Sequence, residues 1–187
     1  MNENNLKSNA LDFLLKYDIL LKLQDSISML ENIHKGLGEY LEKKRIFFPR
    51  FYFMSNDELL EILSETKDPL KVEPYLKNCF EGIKKLVYNQ NEEIEAMQSA
   101  ELENVAFLKS INPKDARGLV EKWLKQVEDI MRLSLETETL KAFDKYKLTE
   151  LEEWIKQFPG QIVLIVNSVI WTSDVTNVNK KNFKILF

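Results

Sequence analysis

The longest regular pattern of apolar positions in the chain lies between Leu11 and Arg45. Side chains recur there every seven residues, with a second set three residues further on, which is the spacing of one helix face. The two sets, which include one histidine, are Phe13, Leu20, Ile27, His34 and Leu41, and Leu23, Leu30 and Leu37. The pattern predicts a long helix that packs in a bundle of its own chain. A coiled-coil dimer through the same face is the alternative.

A basic triplet, Lys43, Lys44 and Arg45, closes this predicted helix. Cations at a helix C-terminus interact favourably with the helix dipole, so a solvated helix end explains the triplet. The same three side chains are also our candidate for a docking face toward an acidic or phosphate-bearing partner.

The next segment, Ile46–Met54, is bulky and aromatic and contains Pro49. Proline blocks a helix and has no N–H to donate to a neighbouring strand. We therefore predict a short edge strand or extended segment near 46–54, with its phenylalanines in the core.

The clearest local signal in the chain follows at Ser55. Ser55 and Glu58 have the spacing of a capping box, and Met54 and Leu59 have that of the hydrophobic staple that often accompanies it. The sequence therefore predicts a helix from Asn56 to about Glu65.

Two prolines punctuate the segment after this helix. Asp68 and Pro69 fit the N-cap and first position of a second helix, which Pro74 makes irregular or restarts. Helical spacing then continues to Lys85, with core positions at Leu76, Cys79, Phe80, Ile83 and Leu86. The only cysteine, Cys79, is thus predicted to be a buried structural residue rather than a reactive thiol.

Breaker residues divide the middle of the chain. Asn89–Asn91 is a turn signal, and Ile94–Gln98 and Asn104–Leu108 are candidates for two short strands, with helix as the alternative. Pro113 breaks the chain again, and a long helix is predicted from about Asp115 to Tyr146. Its predicted core face comprises Val120, Trp123, Leu124, Val127, Ile130 and Met131.

The last third of the chain is predicted to hold two more segments. Thr149 and Glu152 repeat the capping-box spacing, which predicts a helix over Glu150–Phe158 that ends at Pro159 and Gly160. Gln161–Trp171 is apolar on all sides, and its periodicity fits a buried helix and a buried strand equally well.

These elements predict a mainly α fold with a small β element, namely the strand near 46–54 and a hairpin near 94–108. Residues 1–10 are polar and are predicted to be disordered or tag-like. Residues 11–187 are predicted to form one unit, with helical subdomains 11–88 and 115–175 joined by 89–114.

Composition narrows the function classes. The chain has 26 Lys and Arg against 30 Asp and Glu, a net charge of −4 that lacks the basic footprint of a nucleic-acid binder. The single cysteine excludes an intramolecular disulfide framework and suggests a reducing compartment. The N-terminus lacks the order of a signal peptide, and the longest apolar run, Ile162–Val166, is too short to span a membrane. We predict a cytoplasmic location with no membrane or nucleic-acid partner.

Motifs for catalysis are missing from the sequence. The only histidine, His34, excludes a two-histidine metal site, and no phosphate-binding P-loop or nucleophile-elbow sequence occurs. Acidic pairs such as Glu92 and Glu93 are typical of solvated faces. We therefore predict no catalytic, cofactor or metal site in these residues, and no enzymatic activity.

The run YLEKKRIFFPRFYFMSNDELLEILSETKDPLKVEPYLKNCFEGI, residues Tyr40–Ile83, closely resembles the linker region of dynein heavy chains, with a better match to axonemal chains of the inner-arm type. Three later blocks agree in the same order. They are IEAMQSAELENV, RGLVEKWLKQVEDIMRLSL and WIKQFPGQIVLIVNSVIWT, at Ile94–Val105, Arg117–Leu135 and Trp154–Thr172.

This resemblance implies a function. The linker of dyneins is an arched helical rod that lies across a ring of AAA+ ATPase modules and swings with the nucleotide cycle to deliver the power stroke along microtubules. The chain resembles the C-terminal part of that linker. The implied partners are the ring and the rest of the linker, and indirectly microtubules and other dynein subunits. ATP and Mg²⁺ would bind in the ring, and the implied location is the cytoskeleton of the ciliary or flagellar axoneme.

The resemblance also sharpens some structural expectations. It implies a helix for Gln161–Trp171 and a hairpin for Ile94–Leu108. The family pattern has glycine where this chain has Leu102, which would be costly if the turn requires a positive φ. A stiff lever also needs a few non-helical joints, for which the breaker residues offer Asn89–Asn91, Asn112–Asp115 and Pro159-Gly160 as candidates.

We assign structural roles, as helix caps and joints, to Pro49, Ser55, Glu58, Pro69, Pro159 and Gly160. The alternative function is a helical scaffold that binds a partner helix through the apolar face of Leu11–Arg45.

Overall fold

A computed structural model describes residues 19–64 and 69–185 of the 187-residue chain. The chain divides into two compact units, Met1–Phe47 and Phe48–Phe187. The described part is mainly helical with one small antiparallel sheet, which confirms the predicted fold class. The division into subdomains 11–88 and 115–175 stays a prediction.

The first unit contains one described helix, α1 (Ile19–Phe47). It continues two residues past the predicted end at Arg45, and residues 11–18 of the prediction lie outside the described residues. Among its stripe residues Leu41 is buried, whereas Leu20 and Leu30 are 67% and 65% exposed. Most described residues of the stripe are thus exposed, and the packing of this helix in a bundle stays a prediction.

The second unit begins with a 3-10 helix at Pro49–Phe53, so the predicted edge strand is wrong. Phe51 donates its N–H to the carbonyl of Phe48 at 3.0 Å. A 3-10 turn of three residues puts Phe48 and Phe51 on one side, where both are fully buried with ring centroids 4.9 Å apart. A strand would have pointed these two rings to opposite faces.

Helix α2 (Asn56–Ser64) carries the hydrogen bonds of a capping box. Ser55 donates its N–H to Glu58 Oε2 at 2.8 Å, and Glu58 donates its N–H to Ser55 Oγ at 3.2 Å. Leu59 and Ile62 face the core. The helix end near Glu65 and the predicted cap Asp68 lie outside the described residues.

A 3-10 helix at Pro69–Val72 leads into α3 (Glu73–Cys79), which begins around Pro74. The predicted helix to Lys85 is wrong beyond Cys79, because Phe80 turns to an extended conformation and the chain enters a sheet. The predicted core positions are nevertheless all buried: Leu76, Cys79, Phe80, Ile83 and Leu86.

The sheet has the order β1-β2-β3 and is antiparallel throughout. Its strands are β1 (Lys85–Tyr88), β2 (Ile94–Gln98) and β3 (Asn104–Ile111). The predicted hairpin is present as β2 and β3, and its second strand runs three residues further than predicted. Strand β1 lies within 11–88, which the sequence predicts to be helical, so it is a strand beyond the predicted hairpin.

A 3-10 helix at Pro113–Ala116 precedes the long helix α4 (Val120–Tyr146). The predicted start at Asp115 is wrong because Arg117 and Gly118 both adopt positive φ, at 51° and 79°, which interrupts the helix. Of the predicted core face, Val120, Trp123, Leu124 and Val127 are buried, and Ile130 and Met131 are half-buried. This face packs on the sheet, and Leu108 of β3 donates its N–H to Ser134 Oγ at 3.1 Å.

The remaining helices are α5 (Leu151–Gln157) and α6 (Gly160–Ile185). The capping box at Thr149 is wrong: Glu150 is the N-cap, and it caps through its backbone carbonyl alone. The helix expected for Gln161–Trp171 is present within α6. Helices α4, α5 and α6 share a second core that comprises Ala142, Trp154, Ile162, Val163 and Val166.

Candidate functional site

Within residues 19–64 and 69–185, no group of three or more histidine, cysteine or acidic side chains could hold a metal ion. In the same ranges, no helix has the length and apolar character needed to cross a membrane. The features with functional potential are therefore the breaks between helices and the exposed apolar faces.

Arg50 lies in the Pro49–Phe53 3-10 helix and contacts two other elements of the second unit. Its Nε lies 3.1 Å from Glu128 Oε1 of α4, 78 residues away, and its Nη1 donates to the carbonyl of Cys79 at 2.9 Å. The guanidinium also lies 4.8 Å from the ring centre of Phe80. One side chain thus ties the 3-10 helix to both α3 and α4.

Sequence reasoning missed this Arg50 contact. Glu128 follows the buried Val127 on the core side of α4, and its side chain is only 7% exposed. An acidic residue on a core face was the available signal, because buried charges in proteins are normally paired. Its partner could not be identified from a position 78 residues away.

Glu128 also binds Lys125 and Arg132, at 3.0 Å and 2.9 Å. Burial opposes ionisation of Glu128, but the hydrogen bonds from Lys125 and Arg50 outweigh it and lower the pKa of this carboxyl. The Glu128 carboxylate is therefore an anion that contacts three cations, Arg50, Lys125 and Arg132.

We expect Glu128→Gln to destabilise the chain by about 1–2 kcal/mol at neutral pH. The pKa of Glu128 is lower in the folded state, so its ionised form stabilises the fold above the unfolded-state pKa. This contribution disappears as the pH falls through the folded-state pKa. The stability difference between Glu128→Gln and the unchanged chain should therefore shrink as the pH falls below about 5 and through the lowered folded-state pKa, as measured by urea unfolding.

The matched control is Glu136→Gln, on an exposed position of α4. Its unfolding free energy should follow that of the unchanged chain at each pH. A difference for Glu128→Gln that stays constant from neutral to acid pH would contradict the ionised role of Glu128.

Cys79 is buried next to Arg50, and its Sγ lies 3.6 Å from Met54 Sδ. Burial raises the pKa of its thiol to about 12, although the charge of Arg50 opposes the shift. A thiol that stays protonated at neutral pH is a poor nucleophile, in line with the structural role predicted for it.

The remaining predicted site residues do not form one site. Pro49 and Pro69 each begin a 3-10 helix, and Glu58 of the capping box accepts a hydrogen bond from Asn78 of α3 at 3.1 Å. Pro159 and Gly160 lie at the distant break between α5 and α6.

The basic triplet lies in the last turn of α1. Lys43 is exposed, whereas Lys44 and Arg45 are half-buried, and Lys44 Nζ lies 5.3 Å from the ring centre of Tyr40. The three cations therefore differ in solvent exposure, and their role as a docking face stays a prediction.

The two turns of the sheet share one geometry. Each is a three-residue loop, 90–92 in the first turn and 100–102 in the second, whose last residue has positive φ. Glu92 has φ 62° in the first turn, and Leu102 has φ 69° in the second. Asn89 and Ser99 occupy equivalent positions, and the side-chain oxygen of each accepts two backbone N–H groups of its own turn. Glycine is the preferred residue at such a left-handed position, so the condition under which Leu102 would be costly is met.

Replacing Leu102 with glycine should therefore stabilise the chain. A left-handed conformation costs a non-glycine residue about 1–2 kcal/mol, and the entropy lost by glycine offsets about 0.5–1 kcal/mol of that gain. Leu102 is 68% exposed, so little burial is lost. We expect the free energy of unfolding to rise by about 0.5–1 kcal/mol in urea titrations.

The control for this substitution is Glu101→Gly in the same turn. Glu101 is not among the described residues with positive φ, so glycine should lower the unfolding free energy there. Equal effects of the two substitutions would contradict strain at Leu102.

Each turn also contacts one of the predicted joints. Glu92 of the first turn forms an ion pair with Lys114, in the 3-10 helix at 113–116. Glu103, which follows the second turn, accepts the N–H of Gly160 at 2.9 Å. The sheet therefore bridges the break before α4 and the break before α6.

Helix α6 has a second apolar stripe opposite its packed face. The apolar members of the stripe are Leu164, Trp171, Val175 and Val178. Ser168 lies at the same helical spacing, between Leu164 and Trp171. Leu164 and Trp171 are 70% and 69% exposed. A helix that is apolar on several faces is normally covered on each of them, so this stripe is a candidate packing surface.

Comparisons with known proteins identify the relatives of this chain. The family model described as dynein heavy chain, N-terminal region 2, matches residues 1–142. Human dynein axonemal heavy chain 3 and human dynein axonemal heavy chain 12 are each 52% identical to this chain over 86% of its length. The dynein-1-beta heavy chain of the flagellar inner arm I1 complex of Chlamydomonas reinhardtii is 38% identical over 96% of the chain. The chain spans only 4–5% of the length of these relatives.

Proposed function

This chain belongs to the dynein heavy chain family, in the portion described as N-terminal region 2, and we propose that it is a mechanical segment of the linker. In this proposal it has no catalytic role and transmits the nucleotide-driven movement of an AAA+ ring into the power stroke on microtubules. ATP and Mg²⁺ act in the ring, outside these residues. The family match is to an N-terminal region of the heavy chain rather than to a C-terminal part, and in this proposal the heavy chain is of the axonemal, inner-arm type.

The observation that carries the proposal is the coexistence of stiff packing and uncovered apolar stripes. Long helices packed on a dense core resist bending, which a lever requires. The stripes of α1 and α6 offer surfaces on which other parts of a heavy chain would pack, and the relatives named above are long enough to supply them.

Three non-helical segments, one turn of the sheet and two breaks that precede helices, give this lever its candidate joints. In the proposal, the turn at 89–91, the segment 112–115 and Pro159-Gly160 absorb the bend of the linker, while α4 moves as one body. Structures of the heavy chain in two nucleotide states test this. If the segment superposes as one rigid body across all three breaks, the joints are wrong.

The proposed transmission is tested in a heavy chain that carries this segment, with Trp171→Lys on the α6 stripe. We expect basal ATP hydrolysis to persist while microtubule gliding slows, because a charge on the stripe disrupts packing but not the ATPase sites. Thr176→Lys, on α6 outside the stripe, is the control and should glide normally. Normal gliding by both variants would contradict the proposal.

A second candidate function rests on the exposed stripe of α1. An uncovered heptad-like stripe over a 29-residue helix is also suited to bind a partner helix, as a cytosolic scaffold would. That function predicts a dimer of the purified chain that Leu30→Lys abolishes and that Asn32→Lys, off the stripe, leaves intact. A monomer at all concentrations in sedimentation experiments would count against it.

A further inference from the structure

Helix α6 begins without a capping side chain of its own. The residues before Gly160 are Phe158 and Pro159, neither of which carries a polar side chain, and the first turn of α6 contains no acidic residue. The carbonyl of Pro159 accepts the N–H groups of Ile162 and Val163. The N–H of Gly160 has no partner within the helix, as is usual in a first helical turn.

The missing cap comes from the sheet. Glu103 Oε1 accepts the Gly160 N–H at 2.9 Å from a position 57 residues earlier in the chain. An anionic oxygen at a helix N-terminus both satisfies a backbone donor and interacts favourably with the helix dipole. Glu103 thus performs for α6 what a neighbouring serine or aspartate performs for an ordinary helix.

The position of this carboxylate depends on a strained turn. Leu102 adopts φ 69°, and the adjacent Glu103 donates its N–H to Ser99 Oγ at 3.3 Å. Leu102 is largely exposed, so burial does not offset the strain. Strained residues of this kind concentrate at positions that switch between conformations.

We propose that the β2–β3 turn is a detachable remote cap of α6, which couples the sheet to the Pro159-Gly160 break. When the turn moves away, α6 loses the anionic cap that Glu103 provides. When the first turn of α6 shifts, the β2–β3 turn loses the donor that holds it. The coupling is reciprocal, as any linkage between two sites must be. The coupling involves only residues of this chain, so it does not depend on whether the segment transmits force.

Hydrogen exchange of the purified chain by NMR tests the first half of the coupling. Glu103→Ala should raise the exchange rate of the Gly160 amide by about fivefold, the loss expected from a typical N-cap. Glu101→Ala removes a carboxylate from the same turn and should leave that rate unchanged. Glu103→Gln, which keeps an oxygen acceptor but no charge, should give an intermediate rate.

Substitution at Gly160 tests the reciprocal half. Gly160→Pro removes the donor but suits a first helical position, so the exchange rates of the Leu102 and Glu103 amides should rise by a similar factor. Gly160→Ala keeps the donor, and its added Cβ would lie at an ordinary contact distance of 3.5 Å from Glu103 Oε1. It should leave the turn unchanged.

Two results would overturn the remote cap. One is a Gly160 amide that exchanges equally fast in Glu103→Ala and Glu101→Ala. The other is a turn whose exchange is the same in Gly160→Pro and Gly160→Ala. Urea unfolding of each variant separates local opening from a general loss of stability, and neither result bears on whether the segment transmits force.

Discussion

Replacing Trp154 with alanine is expected to lower the free energy of unfolding by about 3–5 kcal/mol. The side chain is fully buried at the centre of the core that α4, α5 and α6 share. Its Nε1 donates to the carbonyl of Ala142 at 2.9 Å, and its ring meets Tyr146 edge-to-face at 5.1 Å. Alanine would remove these contacts and leave a cavity that three helices cannot close without moving.

The matched control is Trp171→Ala on α6, because Trp171 is 69% exposed. Its unfolding free energy should stay within about 0.5 kcal/mol of that of the unchanged chain. Denaturant titrations followed by circular dichroism measure both variants. Similar losses for the two tryptophans would contradict the assignment of one to the core and the other to an outer face.

Helices that are specified by residues close together in the sequence could be predicted from those residues. The capping box of α2 involves residues only three positions apart, so its hydrogen bonds need no tertiary information. The buried face of α4 follows from helical spacing and was identified correctly through Val127. The glycine of the family pattern marked Leu102 as costly if its turn required a positive φ, and the observed φ of 69° meets that condition.

The failures arise where the same apolar spacing suits two backbone conformations. The predicted core positions between Leu76 and Leu86 are buried. The helix nevertheless ends before Phe80, because the chain enters the sheet, where Lys84 donates its N–H to the carbonyl of Gln98. Phe48 and Phe51 are core residues as predicted, but they reach the core from a 3-10 turn rather than a strand. In both cases hydrophobicity determined which residues are buried, but the apolar spacing did not determine the backbone conformation that buries them.

The candidate site depends on contacts that local reasoning cannot reach. Arg50 meets Glu128 over 78 residues, and Glu103 meets Gly160 over 57. Glu128 stands out locally as an acidic residue on a core face, but the local sequence does not show which residue pairs with it. The breaks between helices could therefore be predicted from Pro and Gly, but the side chains that hold them could not.

Replacing Phe51 with alanine should also cost about 3–5 kcal/mol of unfolding free energy. Phe51 is fully buried, and its ring packs edge-to-face on Phe48, which in turn lies 6.1 Å from Phe80 of the α3 end. These three rings fill the space between the 3-10 helix and α3 beside the Arg50 contacts. Together with the Arg50 contacts, they hold the 3-10 helix against α3 and α4 within the second unit.

Phe53→Ala is the control for this substitution, because Phe53 lies two residues later in the same 3-10 helix and is 76% exposed. It should change the unfolding free energy by no more than about 0.5 kcal/mol. The periodicity of the 3-10 helix makes this difference specific, since a strand would place residues 51 and 53 on the same face and expose or bury them together. Equal losses for Phe51→Ala and Phe53→Ala in denaturant titrations would therefore favour the extended segment over the 3-10 helix.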